Sequence, residues 1–341
     1  MAPFSSSNCI RLLLVSSLGV ALWNPQATTA AEPKRVVVVT VTTGFRHSSI
    51  ATAESTLQKL ADESKAFTVA DSVRQPAVVV PRKPRKPAEP KPDADEKARQ
   101  KYAAELKRYE AEIAKWTPEF EAKAEALNQQ FSAELKEALA KLSPENLKAA
   151  KIDGVIFANT TGDLPLPDKE GFVKWVEEGH GFMAMHSASD TLHGFPGYLD
   201  MLQGEFAGHG AQVPADLIAA DKTHPANGGI GDAWELKQEE MYLIKHHDRT
   251  RLRTLWYLKH HPNKVEETGY FPVSWVRNAG KGRVFYTSLG HREDVWSDDV
   301  NLPNRVNSPE TSKKYQAHIL GGIQWALGLK DGSTDPNPSV Q

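Results

Sequence analysis

The sequence predicts an α/β fold: a doubly wound, mostly parallel sheet with helices on both faces, interrupted by an inserted helical arm. Three observations predict it. The run RVVVVTVTT, Arg35 to Thr43, is continuous and rich in β-branched residues, as expected of a strand buried on both faces. A segment with helical spacing follows from about Ser49 to Ser64, with Ile50, Ala53, Leu57 and Leu60 on one side, and then a second short apolar stretch, Ala66 to Ala70. This β-loop-α-β opening is how a doubly wound sheet begins. After about residue 143 the alternation of strands and helices resumes.

The elements follow in order. Residues 1–31 read as a secretory signal peptide: Arg11 precedes the apolar run Leu12 to Leu22, and ATTAAEP offers a small-residue cleavage site near Ala30 or Ala31. That run is too short for a membrane span, which needs about 20 apolar residues. The expectation is therefore a periplasmic or secreted protein with no membrane association after processing. Cys9, the single cysteine, lies in this leader, so the mature chain would have no disulfide, thiolate ligand or cysteine nucleophile. A net charge of −2 and a pI near 6.6 give no basic face for nucleic acid.

Residues 32–75 and 143–330 form the expected α/β domain, with 76–142 as the insertion and 331–341 as a flexible tail. Pro76 to Pro92, dense in proline and lysine, is an extended linker. From Asp93 to Leu142 the pattern is helical. Tyr102, Leu106, Tyr109, Ile113, Trp116 and Phe120 alternate steps of four and three, the heptad spacing of a coiled-coil seam. Thr117-Pro118 marks a second helix start, which suggests a helical hairpin, with one kinked helix as the alternative. The apolar stripe offers a route to a homo-oligomer. Ser143-Pro144-Glu145 caps the next helix. Strands are expected at Asp153 to Ala158, Phe182 to Met185, Ala215 to Ala220, Leu255 to Lys259, Val273 to Arg277 and Arg283 to Ser288. Helices are expected at Pro167 to Glu178 and about Ser312 to Leu327.

Polar clusters recur at the predicted strand ends, where open parallel sheets bind ligands. The first strand delivers Thr43, Gly44, Arg46 and His47. The strand after the insertion delivers Asn159, Thr160, Thr161 and Asp163. The strand of GHGFMAMHSASD delivers His186, Ser187 and Asp190, and RVFYTSLGH delivers His291. Loops add His209, in GEFAGHG, and Glu239, Glu240 and Tyr242, in QEEMY. His186, His209 and Glu240 are the acid/base candidates, because imidazole and carboxyl groups can take and return a proton. Asp190 could orient an imidazole. Arg46, His47, Asn159, Thr160, Tyr242 and His291 are the substrate-binding candidates, with Arg46 placed to hold a developing negative charge. His186, His209 and His291 could alternatively hold a divalent metal such as zinc. Trp234, Trp256, Trp275 and Trp296 could stack on sugar faces, which would suit a non-catalytic carbohydrate-binding protein.

The stretches GFRH (44–47), GHGFMAMHSASD (179–190), LQGEFAGHG (202–210), HPANGG (224–229), EEMY (239–242) and GKGRVFYTSLGH (280–291), with the terminal WALGL, resemble the trehalose-utilisation ThuA-like family. The resemblance spans about Lys34–Ala70 and Ser143–Leu329. It implies a fold like the flavodoxin-like sandwich of class I glutamine amidotransferases and a small-molecule carbohydrate as ligand. The chain departs from the family in two respects: Glu239 stands where relatives usually have aspartate, and the helical arm is additional. Amidotransferase relatives carry a cysteine on the strand-to-helix elbow where this chain has His186, so thiol-dependent glutaminase chemistry is not expected.

Overall fold

The computed structural model describes residues 1, 32–264 and 266–340; the predicted leader, Met1 aside, lies outside the described residues. From Pro33 onward the chain is one compact unit. Its elements are β1 (Lys34–Val39), α1 (Ile50–Ser64), β2 (Phe67–Val73), α2 (Glu96–Ile113), α3 (Pro118–Leu139), α4 (Pro144–Ala149), β3 (Gly154–Ala158), α5 (Lys169–Glu177), β4 (Gly181–Met185), α6 (Pro196–Leu202), β5 (Glu205–His209), β6 (Val213–Ala219), β7 (Ala233–Glu239), β8 (Tyr242–Lys245), β9 (Arg253–His260), β10 (Thr268–Ala279), β11 (Gly282–Thr287), α7 (Glu293–Trp296) and α8 (Pro309–Ala326).

One nine-stranded sheet runs in the order β2-β1-β3-β4-β11-β10-β9-β6-β7. From β2 to β11 every neighbour is parallel; from β11 to β7 every neighbour is antiparallel. The sheet is therefore mixed: a parallel half is extended by antiparallel strands. β5 and β8 form a separate two-stranded ribbon.

The valine run of β1 shows why the parallel half is apolar throughout. Val36 and Val38 face one core with Leu57 and Leu60 of α1 and Ile319 and Ile323 of α8. Val37 and Val39 face the other with Leu135 and Leu139 of α3, Phe172 and Trp175 of α5, and Tyr198 of α6. Successive strand residues point to opposite faces, so a strand covered on both sides must be apolar at every position. Each such side chain contributes about 1.5–3 kcal/mol by leaving water.

The segment expected as an insertion forms two helices, α2 and α3, separated by residues 114–117, and Thr117 caps the second by accepting from Phe120 N. The end of α3 reaches the core through Leu135 and Leu139, whereas α2 has no buried residue. The proline-rich segment lies against both helices: Lys83 pairs with Glu121, and Pro84 and Pro87 lie beside Tyr109. Residues 332–340, expected as a tail, hydrogen-bond to the body. Trp325 Nε1 donates to Gly332 O, and the Asn337 side chain bonds both backbone groups of Thr254. No helix among the described residues is long and apolar enough to cross a membrane.

Candidate functional site

Four segments distant in sequence meet beyond the strand ends. His47 follows β1, His186 follows β4, His291 follows β11 and Glu240 follows β7. The first three strands are parallel and share one ladder, so their carboxyl ends lie on one edge. β7 lies four strands beyond β11, about 19 Å across a flat sheet. Yet Glu239, its last residue, accepts from the backbone N–H of His291 at 2.7 Å and of Arg292 at 3.3 Å. The antiparallel half must curl to achieve this. The pairings of β10 and β6 carry register shifts, and a bulge at such a point bends a sheet.

Ring nitrogens and a carboxylate face one another at the meeting point. His186 Nε2 is 3.2 Å from His47 Nε2, 2.9 Å from the Tyr242 hydroxyl and 3.6 Å from Glu240 Oε2. His291 Nδ1 is 3.1 Å from the same Glu240 oxygen. That separation has hydrogen-bond length without hydrogen-bond geometry, and His291 Nδ1 has no hydrogen-bond partner. Glu240 Oε1 lies 2.9 Å from His209 Nδ1, which is also 2.8 Å from Gly210 O. His47, His186 and Glu240 are buried. The outer members reach solvent: 19% of the His291 side chain and 41% of the His209 side chain are exposed. Phe45, 66% exposed, sets its ring edge-on to His47 at 4.9 Å.

The surroundings fix these groups. His186 has φ +50°, a left-handed backbone uncommon outside glycine, which turns the chain sharply from β4 into a 3₁₀ turn over His186–Asp190. The turn is held by Tyr286, whose hydroxyl donates to His186 O, and by Tyr198, which donates to Ala188 O. His186 Nδ1 faces the Ser288 carbonyl at 2.8 Å and so carries the proton, leaving Nε2 with the lone pair. His47 Nδ1 lies 3.3 Å from Ser187 Oγ. The His291 loop is clamped at Gly290 O by Ser49 Oγ, Asn159 Nδ2 and Trp296 Nε1, at 3.0, 2.9 and 2.8 Å. Gly290 itself has φ +123°, and a Cβ there would press on the Tyr315 hydroxyl and Trp296.

Burial holds His186 well below the usual imidazole range and His47 at about 4, in both cases assisted by neighbouring imidazoles. Burial pulls His291 the same way, but Glu240 and Glu239 outweigh it and its pKa is raised. Burial lifts Glu239 to about 7 against the pull of His291 and of the backbone donors. It also raises the Tyr242 hydroxyl well above its ordinary value.

Of the sequence candidates, His47, His186, Glu240, Tyr242 and His291 come together, with His209 on the outer side of Glu240. Several others are elsewhere. Arg46 donates to Thr40 O at 3.0 Å and lines a different cleft of about 760 Å³, between the strand ends and α3. Asp190 pairs with His193, 2.6 Å away, and His193 in turn binds Glu205 at 2.5 Å. Asp190 therefore orients His193, not a member of the central group. Asn159 and Thr160 are fully buried, the first bonded to Ser49 and Gly290, the second to Thr191, so they fasten loops. Trp234, Trp256, Trp275 and Trp296 are 0% exposed and fill the core, so none offers a face to a sugar. Among possible metal donors, His47, His186, Glu240 and His291 place their ligand atoms within 4.8 Å of one another; His47 takes the place expected for His209.

Sequence reasoning missed Tyr286 and Phe45. Tyr286 reads as one more aromatic of a buried strand. Phe45 could have been found: a large apolar residue between Gly44 and Arg46, in a loop that leads to a site, is unusual.

No curated protein sequence matches the chain. Two solved structures share its fold at 15% identity. One is a ThuA-like protein of Parabacteroides merdae, with a TM-score of 0.53 over 86% of this chain and 90% of that one. The other is a ThuA-like protein of Bacteroides uniformis, with a TM-score of 0.52 over 92% and 99%. The sequence profile of ThuA, described as trehalose utilisation, matches residues 101–326, well over half the chain, and the protein belongs to that family.

Proposed function

We propose that this protein is an exported enzyme of carbohydrate utilisation that acts on a sugar or keto-sugar in the pocket around His186. The observation that carries the proposal is the convergence of His47, His186, Glu240 and His291 beyond the strand ends. A purely structural histidine needs one or two partners; here three imidazoles, a carboxylate and a phenol crowd one point. Such groups can remove a proton from a hydroxyl or from carbon beside a carbonyl, and return it elsewhere. Membership of a trehalose-utilisation family supports a carbohydrate as ligand. The alternative, a carbohydrate-binding protein without chemistry, loses its stacking residues to the core.

The substrate's entry is marked by Phe45. Its ring is exposed and leans on His47, which suits the apolar face of a sugar. Incubating the protein with neutral mono- and disaccharides, trehalose included, and with their keto derivatives, and following products by mass spectrometry, tests the proposal. Turnover of at least one is expected, and saturable binding without product throughout the panel would favour the alternative. Phe45→Ala is expected to raise KM for that substrate about tenfold, corresponding to roughly 1.4 kcal/mol of stacking, with kcat little changed. An unchanged KM would remove Phe45 from the binding surface.

A further inference from the structure

We infer that His47, His186, His291 and Glu240 form a binding site for one divalent first-row transition ion, zinc fitting best. The inference concerns the pocket of the proposed enzyme but does not depend on the substrate being a sugar. It rests on the arrangement of donors and on what the arrangement leaves unsatisfied.

The spacing is that of ligands around an ion. Donors held about 2.0–2.1 Å from a tetrahedral zinc lie about 3.3 Å from each other. Three of the separations are 3.2 Å (His47 Nε2 to His186 Nε2), 3.6 Å (His186 Nε2 to Glu240 Oε2) and 3.1 Å (His291 Nδ1 to Glu240 Oε2), and all four donor atoms lie within 4.8 Å of one another, so a small inward shift would close them on an ion. Hydrogen bonds account for these contacts only in part. His186 Nε2 has one lone pair, since Nδ1 spends its proton on Ser288 O, yet two neutral groups and a carboxylate oxygen press against that lone pair. His291 Nδ1 stands 3.1 Å from a carboxylate oxygen and makes no hydrogen bond to it. A cation at the centre satisfies all four donors at once.

The reverse sides of the donors are braced in the manner of ligands. His186 Nδ1 is on a backbone carbonyl and His47 Nδ1 on Ser187, while the second oxygen of Glu240 lies 2.9 Å from His209 Nδ1, which bonds Gly210 O. Such outer partners fix tautomer and orientation in metal sites. Three imidazoles and one carboxylate, with no thiolate, suit zinc and its neighbours over calcium or magnesium, which take oxygen donors. Among the described residues this is the one set of histidine, cysteine and carboxylate side chains that converges so closely.

The test uses the full mature chain without a histidine tag, stripped with a chelator and titrated calorimetrically with Zn²⁺. One ion per chain is expected. His47→Ala and Glu240→Ala should each weaken binding by about 100-fold or more, whereas His209→Ala, which braces but does not ligate, should lose about tenfold. Co²⁺ added to the stripped wild-type protein should give the strong visible absorption of a low-symmetry site, a readout that needs no variant to fold. The inference is overturned if Zn²⁺ and Co²⁺ both fail to bind the wild-type chain. It is equally overturned if His47→Ala and Glu240→Ala, folded by circular dichroism, bind Zn²⁺ as tightly as wild type. A chain that loads one ion yet converts no sugar would refute the proposed function and leave this site standing.

Discussion

His186→Ala lowers turnover by about 10²–10⁴-fold while the protein stays folded; that is the result expected if the pocket works as proposed. His186 is at the centre of the site, where its Nε2 meets His47, Tyr242 and Glu240. Its backbone is separately fixed by Tyr286, and that hydrogen bond does not depend on the side chain. His186→Gln, which keeps most of the volume, serves as a second variant should alanine leave a destabilising void. Near wild-type turnover in both variants would remove His186 from the chemistry, and circular dichroism with a thermal melt separates that outcome from unfolding.

Asp294→Ala destabilises the fold by about 3–5 kcal/mol, the range for removing one partner of a buried charge network. Asp294 is 1% exposed and accepts from Arg292 Nε and Nη2, from the backbone N–H of Val306 and Asn307, and from Asn307 Nδ2. Its loss leaves the Arg292 guanidinium, 15% exposed, without its carboxylate and with only the neutral acceptors Gln212 Oε1 and Asn304 O. Urea denaturation measures the difference; a loss below about 1 kcal/mol would mean the network is solvated. Because Arg292 adjoins His291, activity should fall as well.

The same residue predicts a pH dependence. Burial pushes the Asp294 pKa up, but the Arg292 and Asn307 donors and the backbone N–H groups outweigh it, so it is lowered in the folded state. A group lowered on folding contributes stability that is fully present above its unfolded value, about 3.9, and lost as pH falls through the folded value. Wild-type stability should therefore drop below about pH 4. Asp294→Asn, which keeps most of the shape without the charge, should show a shallower drop.

The parallel half of the fold was legible because its strands are covered on both faces and read as unbroken apolar runs. β1, β3, β4 and β11 are of this kind. β7 alternates, with Trp234 and Leu236 inward and Glu235 and Lys237 outward, a period of two on a polar background that presents no unbroken apolar run. β5 and β8 are short, and a register shift around Gly208 breaks the pairing between them, so neither carries a readable period.

In the site, His47, His186 and His291 were legible as residues at the ends of predicted strands. The direction of a side chain within a loop was not. Arg46 and His47 are adjacent, yet one lines the cleft beside the arm and the other enters the central group. Glu239 and Glu240 divide in the same way, the first anchoring the His291 loop and the second joining the imidazoles. That division depends on how the antiparallel half brings the end of β7 back to the His291 loop, which no local sequence pattern announces.

The claim beneath all of this is that four side chains, brought from separate strands, share one point in space. Anomalous X-ray diffraction at the zinc edge, from crystals of the tag-free protein grown with Zn²⁺, tests it most directly. The account predicts one strong peak per chain, about 2.0–2.2 Å from a nitrogen of His47, His186 and His291 and from an oxygen of Glu240. A map with no peak there, or with these side chains turned away from one another, would contradict it.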